Sequence, residues 1–198
     1  MTSRHDAAEK DRPRRAADRI RDTALELFYR EGIRAVGVEE IVQTAGVTKP
    51  SLYRAFASKE ALACAYLQDY DAIFWGRFEA AVAAHPDDPR AAILRFLRRL
   101  SERTELEDYR GCGLSNAALE HPDSTHPARA LVRETKERLR ERLRAMAAAA
   151  GAAEPERTGD GLLLLIEGAY ATGQIFGPGG PATNLVAVAE LLLGPARA

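Results

Sequence analysis

Residues 38–60, VEEIVQTAGVTKPSLYRAFASKE, restrict what this chain can fold into more than any other stretch. Val38, Ile41, Val42 and Ala45 fall at i, i+3, i+4 and i+7, one apolar stripe of a short helix. Gly46 ends that helix, because glycine leaves a helix through a left-handed conformation at no steric cost, and Val47 behind it can turn inward. Thr48 opens a second helix, its hydroxyl placed to cap free N–H groups. Pro50 is tolerated in the first turn, where its missing N–H had no partner. Leu52 and Phe56 form the buried side of this second helix. Thr48, Lys49, Ser51, Tyr53, Arg54 and Ala55 are left facing outward, a row of small side chains, two cations and a phenol without a carboxylate.

Two short helices joined by a glycine turn are what is required to lay a second helix in a DNA major groove. Small side chains permit close approach, Lys and Arg neutralise phosphates, and the Tyr hydroxyl can donate to a phosphate oxygen. An ordinary helical hairpin with a solvated polar side satisfies the same pattern, so the stretch alone leaves both readings open.

Charge constrains the first reading. With 28 Lys and Arg against 29 Asp and Glu the chain is not a general polyanion binder. Residues 1–60 carry twelve basic and ten acidic side chains, so this part is +2 and the remainder −3. If DNA is bound, a few placed contacts must do it, helped by a dimer that doubles the charge presented. The chain is long enough for one large or two small domains. The leucine-rich run at residues 162–166 is closed by Glu167, far short of a membrane span. With no hydrophobic leader the expected location is cytoplasmic. Cys64 and Cys112 are expected to be free thiols.

In order along the chain, residues 1–15 have no apolar periodicity and are expected to form a mobile tail. Helix 1 is expected over 16–31, with Ile20, Ala24, Leu27 and Phe28 on one face and Gly32 as its stop. Ile33 and Val36 return to the core, and Gly37 caps helix 2. Ser58 caps a long helix 4 that carries Leu62, Tyr66, Tyr70, Ile73, Phe74 and Phe78 to about Ala84, where HPDDP breaks it. Helix 5 spans 89–104, with Ile93, Phe96, Leu97 and Leu100 opposite Arg95, Arg98, Arg99 and Arg103. A short helix 6 contains Leu114, Ala117, Ala118 and Leu119. Asp123 or Ser124 is expected to cap helix 7, whose buried side is Val132, Leu139, Leu143 and Met146, with a solvated Arg and Glu face between.

The last third is apolar almost all round, over 157–176 and again over 182–193, and a helix hydrophobic on every side must be covered on every side. Pairing these two helices with those of a second copy makes an intermolecular four-helix bundle. A purely internal core is the alternative.

The residues Ala24, Leu27, Phe28 and Gly32, followed by IVQTAGVTKPSLYRAFASKEAL with Ile41, Ala45, Gly46, Val47, Leu52, Tyr53, Phe56, Lys59 and Leu62, resemble the DNA-binding domain of the TetR family of bacterial transcriptional regulators. The resemblance covers about residues 16–66; beyond it only helix count and order agree. It implies an all-α fold of about nine helices: a three-helix helix-turn-helix DNA-binding domain over 16–60, then a larger ligand-binding and dimerisation domain over 61–198. Carried onto this chain, it makes Thr48, Lys49, Ser51, Tyr53 and Arg54 groove and phosphate contacts, with Lys59 also reaching a phosphate. Three positions depart from the family's habit: Gly37 where Ser or Thr is frequent, Pro50 where Gly is common, and Ala55 where His is common. Each removes a donor.

The implied function is a repressor that binds a palindromic operator in double-stranded DNA as a homodimer and is released by a small-molecule effector. Its two recognition helices must stand about 34–36 Å apart, or a multiple, and a ligand that prefers another spacing weakens binding, typically by roughly 5- to 150-fold. Helix 4, with Lys59 at one end, is the expected lever. An aromatic-walled pocket for a small, largely apolar ligand is expected between helices 4–8, with Tyr70, Phe74, Trp75, Phe78 and Phe96 as walls and Asn116, Glu120, Glu167 and Gln174 as polar partners. A small enzyme and a helical interaction module without DNA are the rival classes. His121, Asp123 and His126 lie in a turn-rich loop without regular ligand spacing, so neither metal nor cofactor is expected. GPGGP lacks the strand and helix that a phosphate loop requires, and no catalytic residue is assigned.

Overall fold

The computed structural model describes residues 15–123 and 125–195. The expected tail, apart from Arg15, and the candidate cap Ser124 lie outside the described residues. Among those described, nine α-helices and one 3₁₀ turn account for all regular structure: α1 Ala16–Glu31, α2 Val38–Thr44, α3 Lys49–Ala55, α4 Lys59–Ala83, α5 Pro89–Thr104, α6 Gly113–Glu120, α7 Pro127–Ala149, α8 Pro155–Phe176, the turn Pro181–Asn184, and α9 Leu185–Leu193. The all-α expectation therefore holds. No described helix is long and apolar enough to cross a membrane.

The chain divides into two compact units after Tyr66. In the first, α1 packs on both α2 and α3. Ile20, Ala24 and Phe28 supply its buried stripe, meeting Ile33, Val36, Ile41 and Leu52, all at most 4% exposed. Gly32 stops α1 with φ 92°, a conformation that side-chain-bearing residues avoid.

In the second unit α7 and α8 make the most extensive helix pairing, and α5 packs on α7, α8 and α9. Ile93, Phe96, Leu97 and Leu100 of α5 and Val132, Leu139, Leu143 and Met146 of α7 are all buried, as their spacing predicts. Asp88 caps α5 by accepting from Ala91 N–H at 2.9 Å, and Pro89 fills the first position.

Several local expectations fail for reasons of packing. Of the apolar residues named in helices 4 and 6, Ile73 and Leu119 face outward, because the core side of α4 passes through Tyr70, Phe74 and Phe78 and that of α6 through Leu114 and Ala117. His126, not Asp123, caps α7: its Nδ1 accepts from Ala128 N–H at 3.2 Å. Asp123 instead accepts from the N–H and hydroxyl of Thr125, which holds its carboxyl below the usual range. The charged face of α7 is only partly solvated. Arg140 and Arg144 each clasp Asp160 of α8 through two bonds of 2.6–2.8 Å. Arg138 reaches Asp71 at 3.3 Å and lies 4.0 Å from the centre of the Trp75 ring.

Candidate functional site

The turn between α2 and α3 is built as its sequence demands. Gly46 has φ 61°; its N–H donates to Gln43 O at 3.2 Å, and Val47 N–H reaches back to Val42 O at 3.0 Å. The last carbonyls of α2 are thereby satisfied and the chain is turned sharply into α3. Arg19 of α1 donates to Gly46 O at 3.5 Å. Thr48 does stand at the start of α3, but its hydroxyl pairs with that of Ser51 at 2.9 Å and does not cap the backbone. Leu52 is fully buried. Phe56 is half-buried, because it is already the extended residue that ends the helix.

This leaves Thr48, Lys49, Tyr53, Arg54 and Ala55 exposed on one short helix, with Ser51 half-buried beside them. The face is less bare of acid than its own sequence suggests. Glu39 of α2 accepts from Lys49 Nζ at 2.8 Å, and that bond and charge raise the Lys49 ammonium above its ordinary value. Lys59 is half-buried at the first position of α4, whose end is fixed by Ser58 Oγ accepting from Ala61 N–H at 3.1 Å.

The expected effector residues are distributed rather than gathered. Phe74 and Phe96 line a cavity of about 350 Å³. Asn116, Glu167 and Gln174 line a second of about 440 Å³. Trp75 borders an open groove with Glu79, Arg138 and Arg142. Phe78 is 1% exposed, its ring packed 5.0 Å from that of Phe96 and 6.3 Å from that of Phe74, so it is core. Tyr70 is also buried and donates to Gly111 O at 3.3 Å. Glu120 lines none of the three. The expected residues are thus not gathered around one pocket: Phe74 and Phe96, with Tyr170, wall the first cavity, the polar partners line the second, and Phe78 packs as core between the rings.

The 440 Å³ cavity brings in residues that sequence reasoning missed. Lys136 Nζ bonds Glu167 Oε1 at 2.6 Å, lies 3.5 Å from Cys112 Sγ, and faces the Tyr170 ring at 5.5 Å. Ser115 donates to the other Glu167 oxygen at 2.7 Å. Burial pushes the Lys136 ammonium down, but Cys112 and Glu167 beside it outweigh this and hold it above its ordinary value. The signal was present in the sequence: Lys136 lies four residues after Val132 on the buried stripe of α7, where a lysine needs a partner. At the rejected metal loop, His121 and His126 stack with centroids 4.1 Å apart, and His126 Nδ1 is engaged as a cap.

A glycine-turn helix pair braced by a first helix, presenting hydroxyls, cations and a tyrosine, and followed by a larger helical unit, defines a helix-turn-helix transcriptional regulator. Residues 20–66 match the family model for bacterial regulatory proteins of the tetR family. A putative TetR transcriptional regulator from Streptomyces avermitilis is 30% identical with a TM-score of 0.76 over 91% of this chain and 97% of that one, and the chain belongs to the TetR family. A TetR-family regulator from Streptomyces coelicolor is 29% identical with a TM-score of 0.87, over 98% and 95% of the two chains. An uncharacterised HTH-type transcriptional regulator of Mycobacterium tuberculosis is 46% identical over 52 residues. That match spans 26% of each chain, so this chain covers about a quarter of that curated relative's length. The relatives are transcriptional regulators, not enzymes.

Proposed function

We propose that this protein is a ligand-responsive repressor that binds a palindromic operator as a homodimer and is released when a small, largely apolar molecule occupies its C-terminal unit. The observation that carries the reading is the exposed row Thr48, Lys49, Tyr53 and Arg54 on a helix held by a left-handed glycine turn. Ser51 belongs to the same face, and Lys59 adds a phosphate contact from the start of α4. With Lys49 shared with Glu39, Tyr53 and Arg54 carry most of the contact.

Dimerisation through α8 and α9 is supported by the apolar side chains these helices leave in water. Leu164, Ile175, Phe176 and Leu191 are 62–80% exposed, and Val188 and Leu192 about 40%. Large apolar side chains left in water along two packed helices are what an interaction surface supplies. Effector binding is supported by the two cavities, both within the usual size range of small-molecule sites. The continuous helix α4 carries Lys59 at one end and Phe74 further along, so a ligand that shifts α4 alters what Lys59 can reach.

Selecting bound fragments from random DNA with the full-length protein tests the reading. An enriched two-fold palindrome is expected, with binding that weakens steeply as salt is added. Recovery of no enriched sequence would overturn it.

A further inference from the structure

The 350 Å³ cavity has a floor and a rim of opposite character. Phe74, Ala81, Phe96, Leu100 and Tyr170 form an apolar floor, each at most 8% exposed. Around it stand four arginines: Arg77 from α4, and Arg95, Arg99 and Arg103 from α5. The three on α5 recur every four residues, one stripe of the helix, so the helix period itself aims them at a common mouth. The lining contains a single carboxylate, Glu102, and it is bonded to Arg99 at 2.8 Å. Among the described residues Arg95 has no hydrogen-bond or ion-pair partner. Four cations and one anion give the lining residues a formal excess of three positive charges, with Arg103 also facing the Tyr109 ring at 6.0 Å.

Like charges gathered beside low-dielectric walls repel one another and focus a positive potential into the cleft. An oxyanion relieves that repulsion, and guanidinium forks bind carboxylate and phosphate oxygens two at a time. A bare inorganic anion leaves the aromatic floor uncovered, whereas a neutral apolar molecule leaves the excess positive charge of the rim in place. The space takes a chain of about ten carbons, at roughly 30 Å³ for each water-sized group, and leaves the head at the mouth.

We infer that this cavity binds a small amphiphilic oxyanion, its carboxylate or phosphate head among Arg77, Arg95, Arg99 and Arg103 and an apolar body of about ten carbons over Phe74 and Phe96. This rests on the effector-binding reading above and names the effector's chemical class. It also makes the ligand less apolar than the floor alone suggests, and puts it at the α4–α5 mouth instead of beside Asn116.

Calorimetric titration of the full-length protein with decanoate, decyl phosphate and uncharged 1-decanol separates the possibilities. At least one of the two anions is expected to bind ten-fold or more tighter than 1-decanol, and the tighter one identifies the headgroup. The Arg95→Gln/Arg99→Gln variant, altered only at the rim, is expected to lose ten-fold or more toward the anions, keep its affinity for 1-decanol, and melt as the parent does. Ala80→Phe, at an exposed position of the lining, is expected to block all three probes. Equal binding of 1-decanol and the anions, no binding of any probe, or unchanged anion binding by the rim variant would overturn the inference. Anion binding is read without DNA, so the two readings fail separately. A protein that binds its selected operator but none of the probes loses only the effector class. One that binds the anions but enriches no operator keeps this site and loses the regulator reading.

Discussion

Lys49 has two competing uses for one charge. Its ammonium is 2.8 Å from Glu39, and both side chains are more than half exposed, so the pair is weak and open to exchange for a phosphate. Glu39→Gln is therefore expected to strengthen operator binding by roughly two- to five-fold, the range of an exposed ion pair. Fluorescence anisotropy with the selected operator at fixed salt measures it, and weaker binding would show that Glu39 itself contacts the DNA. Lys59→Gln is expected to weaken binding evenly across sequences and to lower the salt slope by about one. Tyr53→Ala should cost more than Lys49→Ala, because Tyr53 is not shared with a carboxylate across the turn. The exposure of Thr48, Lys49, Tyr53 and Arg54 on one face was legible in the sequence because it derives from helical period. The Glu39 contact was not, since it depends on where α2 lies beside α3.

Between α7 and α8, backbone approach and charge act together. A Cβ on Gly159 would lie 2.6–2.7 Å from backbone atoms of Arg144, so a methyl group there forces the helices apart. Gly159→Ala is expected to destabilise the fold by about 1–3 kcal/mol in denaturant titration, although alanine is the better helix former. One residue on, Asp160 takes both Arg140 and Arg144, whose hydrogen bonds hold its carboxyl well below the ordinary range. A depressed folded-state value means that the contribution is present above the usual carboxylate pKa near 4 and is lost as the pH falls through the folded value. Asp160→Asn should thus lower the melting temperature at pH 7, with the gap narrowing below about pH 4 and in high salt. A gap independent of pH would assign Asp160 a purely steric role. The sequence placed Arg140 and Arg144 on a solvated face, which the α7 pattern alone supports. Only the adjacent α8 supplies their acceptor.

For the molecule as a whole, the exposed apolar side chains of α8 and α9 set the expected assembly. Leu164→Asp/Leu191→Asp changes two residues that are 74% and 80% exposed, so the fold of the single chain should be untouched. The variant is expected to sediment as a monomer with unchanged helical circular dichroism and to bind a full palindrome at least ten-fold more weakly, because the two half-sites are no longer engaged together. A variant that remains dimeric would move the interface elsewhere.

The sequence by itself determined the helices, their stops and the exposed face of α3. These are local matters: a 3.6-residue period selects a buried stripe, Gly46 and Gly32 supply φ values other residues avoid, and Ser58 caps α4. Tertiary structure alone decided which candidate effector residues meet. Phe78 and Phe96 share a helical pattern that fits core and cavity equally well, and only packing made one ring filler and the other a wall. It also turned Lys136, Glu167, Ser115 and Cys112, from three different helices and a loop end, into one polar cluster, and set Arg77 across from the arginine stripe of α5. Cavities and charge clusters arise where distant segments meet. Periodicity gives the face of each helix, but not what that face will meet.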